Sequence, residues 1–317
     1  MNKEEIKQQI KALRKEKDAI ILAHYYTNPE IQDIADYIGD SLGLSQMAAK
    51  TDSSVILFCG VKFMAETASI ISPGKKVLIP DITAGCSLAE SIVRENILDW
   101  KRKNPDGVVV SYINTTAEVK ALTDICCTSA NAAKIISSIP EDAKILFGPD
   151  KNLAKYIQTM TGRDIDIWDG DCCVHEDFTK EKVESLIAAN PGAEILIHPE
   201  SNCSHDPSIL EREDVFVLST SGMVKRAGDS PAQSFIIVTE PGVLHQMNLM
   251  YPAKKFIPVD IGNKCYQMRK VTLEKVLWSL TNEEFEIYIP ERIRAKAYPH
   301  CLETHPAPRH FPQNSGN

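Results

Sequence analysis

Three stretches of this chain read as copies of one another, and no other feature constrains its fold as much. They are AIILAHYYTNPEIQDIADYIGDS at 19–41, VVVSYINTTAEVKALTDICCTS at 108–129 and EILIHPESNCSHDPSILEREDVFVLST at 194–220. Each begins with an apolar β-run that ends in polar residues. A short helical stretch with an acidic residue follows, then a second apolar or small stretch closing on Ser or Thr. Registered on His24, Tyr112 and His198, which lie 88 and 86 residues apart, the copies place Tyr26, Asn114 and Glu200 two positions later. Ser41 and Ser129 each fall 17 positions after their anchor, whereas Thr220 falls 22 after His198, across an insertion.

The second halves repeat as well. Residues 53–86, 143–172 and 233–265 each read strand, Gly-containing turn, amphipathic helix, β-branched strand and loop, and the loops close on Cys86, Cys172 and Cys265. Strands alternating with helices imply βαβ units and parallel sheets. The expected fold is therefore α/β: three similar three-layer α/β/α domains with parallel sheets, able to pack around a pseudo-threefold axis. Their ranges are 1–106 with an N-terminal helix, 107–192 and 193–282, followed by a C-terminal segment at 283–317. A (β/α)₈ barrel is the rival, but the period here is too long for one of its βα units. The tail YPHCLETHPAPRHFPQNSGN, rich in Pro and His, reads as a poorly ordered end.

Composition narrows the partners. With 317 residues, 43% hydrophobic and 25% charged, the chain has an ordinary globular make-up and enough length for sizeable cores. Its net charge of −8 argues against a nucleic-acid footprint, which needs a basic surface. No apolar run approaches the roughly 20 residues of a membrane span. The start MNKEEIKQQIKALRKEKD lacks the apolar region of a signal peptide, so a cytoplasmic location is expected. There, 9 cysteines read as thiols or metal ligands rather than as a disulfide framework.

The repeat has a chemical consequence. In open parallel sheets, ligands bind beyond the carboxyl ends of the strands. A spacing of two puts both side chains of a pair on one face. One central site can then receive His24 with Tyr26, Tyr112 with Asn114, and His198 with Glu200. Ser41, Ser129 and Thr220 fall where helices are expected to begin. They read equally as N-caps and as contacts to an anion held at a helix N-terminus. Three aligned thiolates suit an iron–sulfur cluster or, with His175 three residues after Cys172, a Cys₃His zinc site. Three cysteines on a four-iron cluster leave one iron free to act as a Lewis acid. Cys59 reads as core. Cys126, Cys127, Cys173, Cys203 and Cys301 lack the alignment and read as structural or incidental, with Cys173 pointing away from Cys172 if that segment is extended.

Taken together, AHYYTNPEIQDIADYIGDSL, PDITAGCSLAES, SYINTTAEVKALTD with CTSANA, WDGDCCVHE, HPES, LSTSGMVKRA, and TEPGVLHQMNLMYPAKKF with NKCYQM resemble the quinolinate synthase family over residues about 20 to 280. That resemblance implies three α/β/α domains around a pseudo-threefold axis. It also implies a [4Fe–4S] cluster on Cys86, Cys172 and Cys265. The substrates it implies are iminoaspartate and dihydroxyacetone phosphate, condensed to quinolinate with loss of phosphate and water in de novo NAD biosynthesis. A transient handover of iminoaspartate from L-aspartate oxidase is the implied partner contact, with neither nucleic acid nor membrane involved. The matching site residues are His24, Tyr26, Ser41, Tyr112, Asn114, Ser129, His175, His198, Glu200, Ser219 and Thr220. Two departures stand out: Ser201 follows HPE where many members carry Cys, and the NCSHDPS stretch is longer than in the shorter members. Neither touches an implied ligand.

Roles follow for these positions. Ser41 and Ser129 are expected to hold a phosphate. Glu200 is expected to act as general base or acid, its pKa tuned by a neighbouring histidine. Tyr26, Tyr112 and His198 can relay protons or stabilise an enediolate, and Asn114 can fix a carboxylate or carbonyl. The rival functions are a zinc-dependent lyase or aldolase on the same scaffold, and a noncatalytic iron–sulfur sensor that needs no such constellation.

Overall fold

A computed structural model describes residues 1–302. The first sheet holds β1 (Ala19–His24), β2 (Tyr37–Gly39), β3 (Val55–Cys59) and β4 (Lys76–Leu78). The second holds β5 (Val108–Tyr112), β6 (Ile125–Cys127), β7 (Ile145–Gly148) and β8 (Asp166–Ile167). The third holds β9 (Glu194–Ile197), β10 (Val215–Val217), β11 (Ser234–Val238) and β12 (Lys255–Pro258). Every neighbouring pair is parallel, and the spatial orders β2-β1-β3-β4, β6-β5-β7-β8 and β10-β9-β11-β12 are one topology used three times. The three-layer α/β/α class read from the repeat is the one observed.

Continuous apolar runs form these strands because both faces are covered. In the first sheet, Leu22, Ile56 and Phe58 face one way, onto Leu44 and Ala48 of helix Ser41–Lys50 and onto helix Lys62–Ile71. Ile21, Ala23, Leu57 and Cys59 face the other way, onto Ile6 and Ile10 of helix Lys3–Glu16 and onto Leu273, Val276 and Leu280 of helix Leu273–Asn282. Each such fully buried Leu or Ile contributes roughly 1.5–3 kcal/mol. Leu196, Phe235 and Ile237 of the third sheet enter the same core as Leu22 and Phe58, so the first and third units share an apolar joint.

Helix Glu291–Leu302 crosses from helix Lys62–Ile71 to helix Ala117–Lys120 and β6, joining the first unit to the second. Residues 298–302 belong to this helix and not to an irregular tail: Ala297 and Cys301, four apart, both bury their side chains in the core. The rest of the tail lies outside the described residues. Among the described residues no helix is long and apolar enough to cross a membrane.

Candidate active site

In each sheet the first strand of the unit lies between the second and the third, so the chain reverses its winding at that strand's carboxyl end. Crevices in open α/β sheets form at such points. His24 is the last residue of β1, Tyr112 the last of β5, and His198 the first beyond β9. These ends converge on one cavity. Its wall includes all six strand-end residues, His24, Tyr26, Tyr112, Asn114, His198 and Glu200. Ser41, Ser129, Ser219, Thr220 and His175 line it too, as do Cys86, Cys172 and Cys265. Every site residue expected from the sequence therefore faces the same space.

Glu200 is the hub. Its Oε1 accepts from Tyr112 Oη at 2.5 Å and from Asn114 Nδ2 at 3.4 Å, and its Oε2 lies 3.2 Å from His175 Nδ1. All four groups are buried. Burial opposes charge on Glu200, but His175 and His198 with the hydrogen bonds outweigh it, holding the carboxyl down from 4.5 to about 2. Burial lowers both His24 and His198 from 6.5 to about 4, and it pushes the Tyr26 and Tyr112 phenols well up. Tyr26 Oη bonds Thr220 Oγ1 at 2.8 Å and Thr239 Oγ1 at 2.6 Å, and Thr239 Oγ1 in turn lies 2.8 Å from His175 Nε2. A hydrogen-bonded chain thus links groups from all three units.

The three aligned cysteines sit where the units meet. Cys86 packs against the cores of the first and second units, Cys172 against the second and third, and Cys265 against the third and the core shared with the first. Their loops are tied pairwise. Ser87 Oγ donates to Asp171 O at 3.0 Å, Asn263 Nδ2 to Val174 O at 2.8 Å, and the Gly85 N–H to Gln267 Oε1 at 3.1 Å. Burial pushes Cys86 up to about 12 and Cys265 up to about 11. Against that, backbone N–H groups work to stabilise each thiolate: Leu88 and Ala89 at Cys86, His175 at Cys172, Gln267 and Met268 at Cys265. Three free thiols on braced loops, each facing backbone N–H groups, fit the thiolate coordination of an iron–sulfur cluster with one protein donor fewer than the usual four. Cys172 Sγ, one His175 ring nitrogen and a Glu200 oxygen also lie within 4.8 Å of one another. However, His175 spends its Nδ1 on Glu200 and Cys172 and its Nε2 on Thr239.

The remaining cysteines divide. Cys59, Cys126, Cys127, Cys203 and Cys301 are buried. Cys126 and Cys301 hydrogen-bond each other. Cys173 does not turn away from the site. It lines the cavity with Cys172, because the chain at 173–174 is a turn leading into the 3₁₀ helix His175–Asp177 and not an extended segment.

The helix starts differ from their expected form. Asp40, not Ser41, caps helix Ser41–Lys50, accepting from the Gly43 N–H at 3.0 Å. Its other oxygen accepts from Ser221 N–H at 3.1 Å, which joins the first unit to the third. Ser219 caps helix Thr220–Asp229, leaving Thr220 as its first residue. Ser129 precedes helix Ala132–Ser138 by three positions, in a turn that Asn131 closes by accepting from the Thr128 N–H at 2.7 Å.

Sequence reasoning passed over Asp40, Thr239 and Glu240. Glu240 is fully buried, pairs with Arg269 Nη2 at 2.7 Å and accepts from the Cys265 N–H at 3.2 Å. Gly242, two residues on, has no room for a side chain: a Cβ would lie 2.7 Å from Tyr25 O and 2.8 Å from Tyr26 Cα. This close approach seats the third unit's loop on the His-x-Tyr of the first. The TEPG stretch carries all of these residues except Asp40 and was legible as a polar cluster after a strand.

Three parallel α/β units that close a thiol-bearing, carboxylate-centred cavity define an enzyme-type site assembled between repeats. A family model described as quinolinate synthetase A protein matches residues 8–304. The quinolinate synthase of Thermus thermophilus is 47% identical over 297 residues, covering 94% of this chain and 96% of the relative. That of Gloeothece citriformis is 50% identical, covering 91% and 89%, and that of Pyrobaculum aerophilum is 50% identical, covering 92% and 96%. The chain belongs to the quinolinate synthase family.

Proposed function

We propose that this protein condenses iminoaspartate with dihydroxyacetone phosphate to form quinolinate, with loss of phosphate and water, as a transferase-type condensing and dehydrating enzyme of NAD biosynthesis in the cytoplasm. The observation that carries the reading is the convergence of fourteen side chains from three repeats on one cavity. Cys86, Cys172 and Cys265 would hold a [4Fe–4S] cluster, which when bound supplies an iron free of protein ligands as a Lewis acid for substrate oxygen or nitrogen.

The chain's own groups do the rest. Glu200, fed by the Tyr112 hydroxyl and the Asn114 amide, is an acceptor poised to take a proton during enolisation and to return it during dehydration. Tyr112 relays a proton through its hydroxyl bond to Glu200, while Tyr26 and His198 supply hydrogen bonds to oxygen that gains charge in an enediolate. Asn114 Oδ1, buried at the wall without a partner among the described residues, accepts from a substrate N–H or O–H, while the amide N–H that Glu200 does not take faces a carboxylate or carbonyl. Ser41 begins a helix of ten residues, where its hydroxyl and the free N–H groups suit a phosphate, and Ser129 approaches from the second unit. His24 and His175 complete the substrate wall, with Ser219 and Thr220 across from them. The direct receipt of iminoaspartate from an aspartate oxidase belongs to the same reading, because an imine hydrolyses in water.

An anaerobic assay with iminoaspartate generated in place tests this. Quinolinate is expected to appear only with both substrates and only in protein showing broad iron–sulfur absorption near about 400 nm. Turnover by zinc-loaded, colourless protein overturns the cluster assignment. An absence of quinolinate from fully loaded protein overturns the reaction.

A further inference from the structure

Lys120 is completely buried, an uncommon place for a lysine. Its Nζ donates to the carbonyls of Ile113, at 2.8 Å, and of Thr115. Those two carbonyls flank Asn114. In the first unit, Gln32 is buried in the same way, and its Nε2 donates to Tyr25 O at 2.7 Å and Thr27 O at 3.0 Å, the carbonyls that flank Tyr26. Gln32 lies eight residues after His24, and Lys120 lies eight after Tyr112, so the two occupy one position of the repeat. The insertion displaces that position in the third unit. There, Ser204 serves the carbonyls that flank Glu200: its Oγ donates to Pro199 O at 2.8 Å and its backbone N–H to Ser201 O at 2.9 Å.

The physical need is clear. Where the chain leaves a strand, its carbonyls lose their ladder partners, and each one left bare in the interior is costly. Ile113 O also accepts from the Thr115 N–H and Thr27 O from Arg269, so the braces matter most for Thr115 O and Tyr25 O. One nitrogen with several N–H groups can satisfy the pair on either side of a residue. Doing so fixes the backbone orientation of the residue between them, and with it the direction of its side chain. A carbonyl-neutral apolar plug would fill the space without aiming anything. Lys120 Nζ also lies over the ring of Phe63, 5.5 Å from its centroid, and Phe63 lines the cavity.

We infer that Lys120 and Gln32 are positioning residues, equivalent nitrogen braces that aim Asn114 and Tyr26 into the site. The inference rests on the reading that Asn114 touches substrate or product. Cluster-loaded parent, K120M, K120Q, N114A and K120M/N114A proteins are compared for quinolinate affinity by calorimetry, for kcat and KM, and for hydrogen exchange over residues 112–116. K120M is expected to lose about tenfold in affinity and in kcat/KM with its cluster spectrum intact. K120Q, carrying the side chain that does this job in the first unit, is expected to stay within about threefold of the parent. The double variant is expected to be no weaker than N114A alone, because Lys120 acts through Asn114.

Losses that multiply in the double variant overturn the inference, as does K120Q falling as low as K120M, or K120M matching the parent. If K120M does not fold, K120Q decides alone, near-parent affinity supporting the brace and a tenfold loss overturning it. If the parent neither binds nor makes quinolinate, the functional reading has failed. The brace is then judged by exchange at 112–116, which K120M should accelerate and K120Q should leave unchanged; equal exchange in all three proteins overturns it.

Discussion

At the scale of single residues, Glu200 carries the most connected position in the site. It accepts hydrogen bonds from two groups at the end of β5 and has two histidines against it. Glu200→Gln keeps the volume but turns one acceptor oxygen into an NH₂ group. That group must then face either the Tyr112 hydroxyl with Asn114, or the His175 ring, and whichever side it faces loses its acceptor. The cysteine loops are braced by Ser87, Asn263 and Gly85, none of which bonds Glu200. E200Q is therefore expected to keep its iron content and visible spectrum while kcat falls about 10²–10⁴-fold, the usual weight of a general acid–base group. Iron analysis beside single-turnover kinetics checks this; a variant turning over near the parental rate removes Glu200 from the proton-transfer role.

At the scale of elements, the sequence read correctly which strands exist and which residues stand at their ends, because an apolar run closing on His-x-Tyr, Tyr-x-Asn or His-Pro-Glu is a local signal. The helix starts were read less well. Asp40 and Ser41 are adjacent capping types, and Asp40, which caps with one oxygen, also has a second oxygen for the Ser221 N–H that arrives from the third unit only after folding. Lys120 and Gln32 were invisible for the same reason: a polar residue in a short helix reads as surface until the strand-end carbonyls close over it. The displaced cap sharpens one expectation. With Asp40 doing the capping, Ser41 Oγ is left for a ligand, so S41A should leave stability near the parental value. It should also raise KM for dihydroxyacetone phosphate roughly tenfold or more, the loss of one hydrogen bond to a charged group. A fall in Tm with KM unchanged makes Ser41 structural instead.

At the scale of the whole molecule, the site exists only because the three repeats close on one another. Each repeat supplies one aligned thiol and one strand-end pair, and the buried imidazoles His24 and His198 come from the first and third units. That convergence carries an acid liability. Burial holds both folded pKa values near 4, against 6.5 when exposed, so between those limits the unfolded chain binds protons that the folded chain refuses. Stability is therefore complete above about pH 6.5 and falls as pH drops toward 4, by on the order of 3 kcal/mol for each imidazole. Glu200 extends the trend in the same direction below pH 4.5, since its carboxylate is favoured in the folded state down to about 2. Against a total stability of roughly 5–15 kcal/mol, two such groups suffice to bring acid unfolding close to pH 4. Urea unfolding of the metal-free chain at pH 7, 6 and 5 measures the slope, which should flatten in H24N/H198N. An equally steep slope in the double variant would move the acid sensitivity away from the cavity, and with it the claim that closing the three units around neutral imidazoles sets the lower pH limit of this fold.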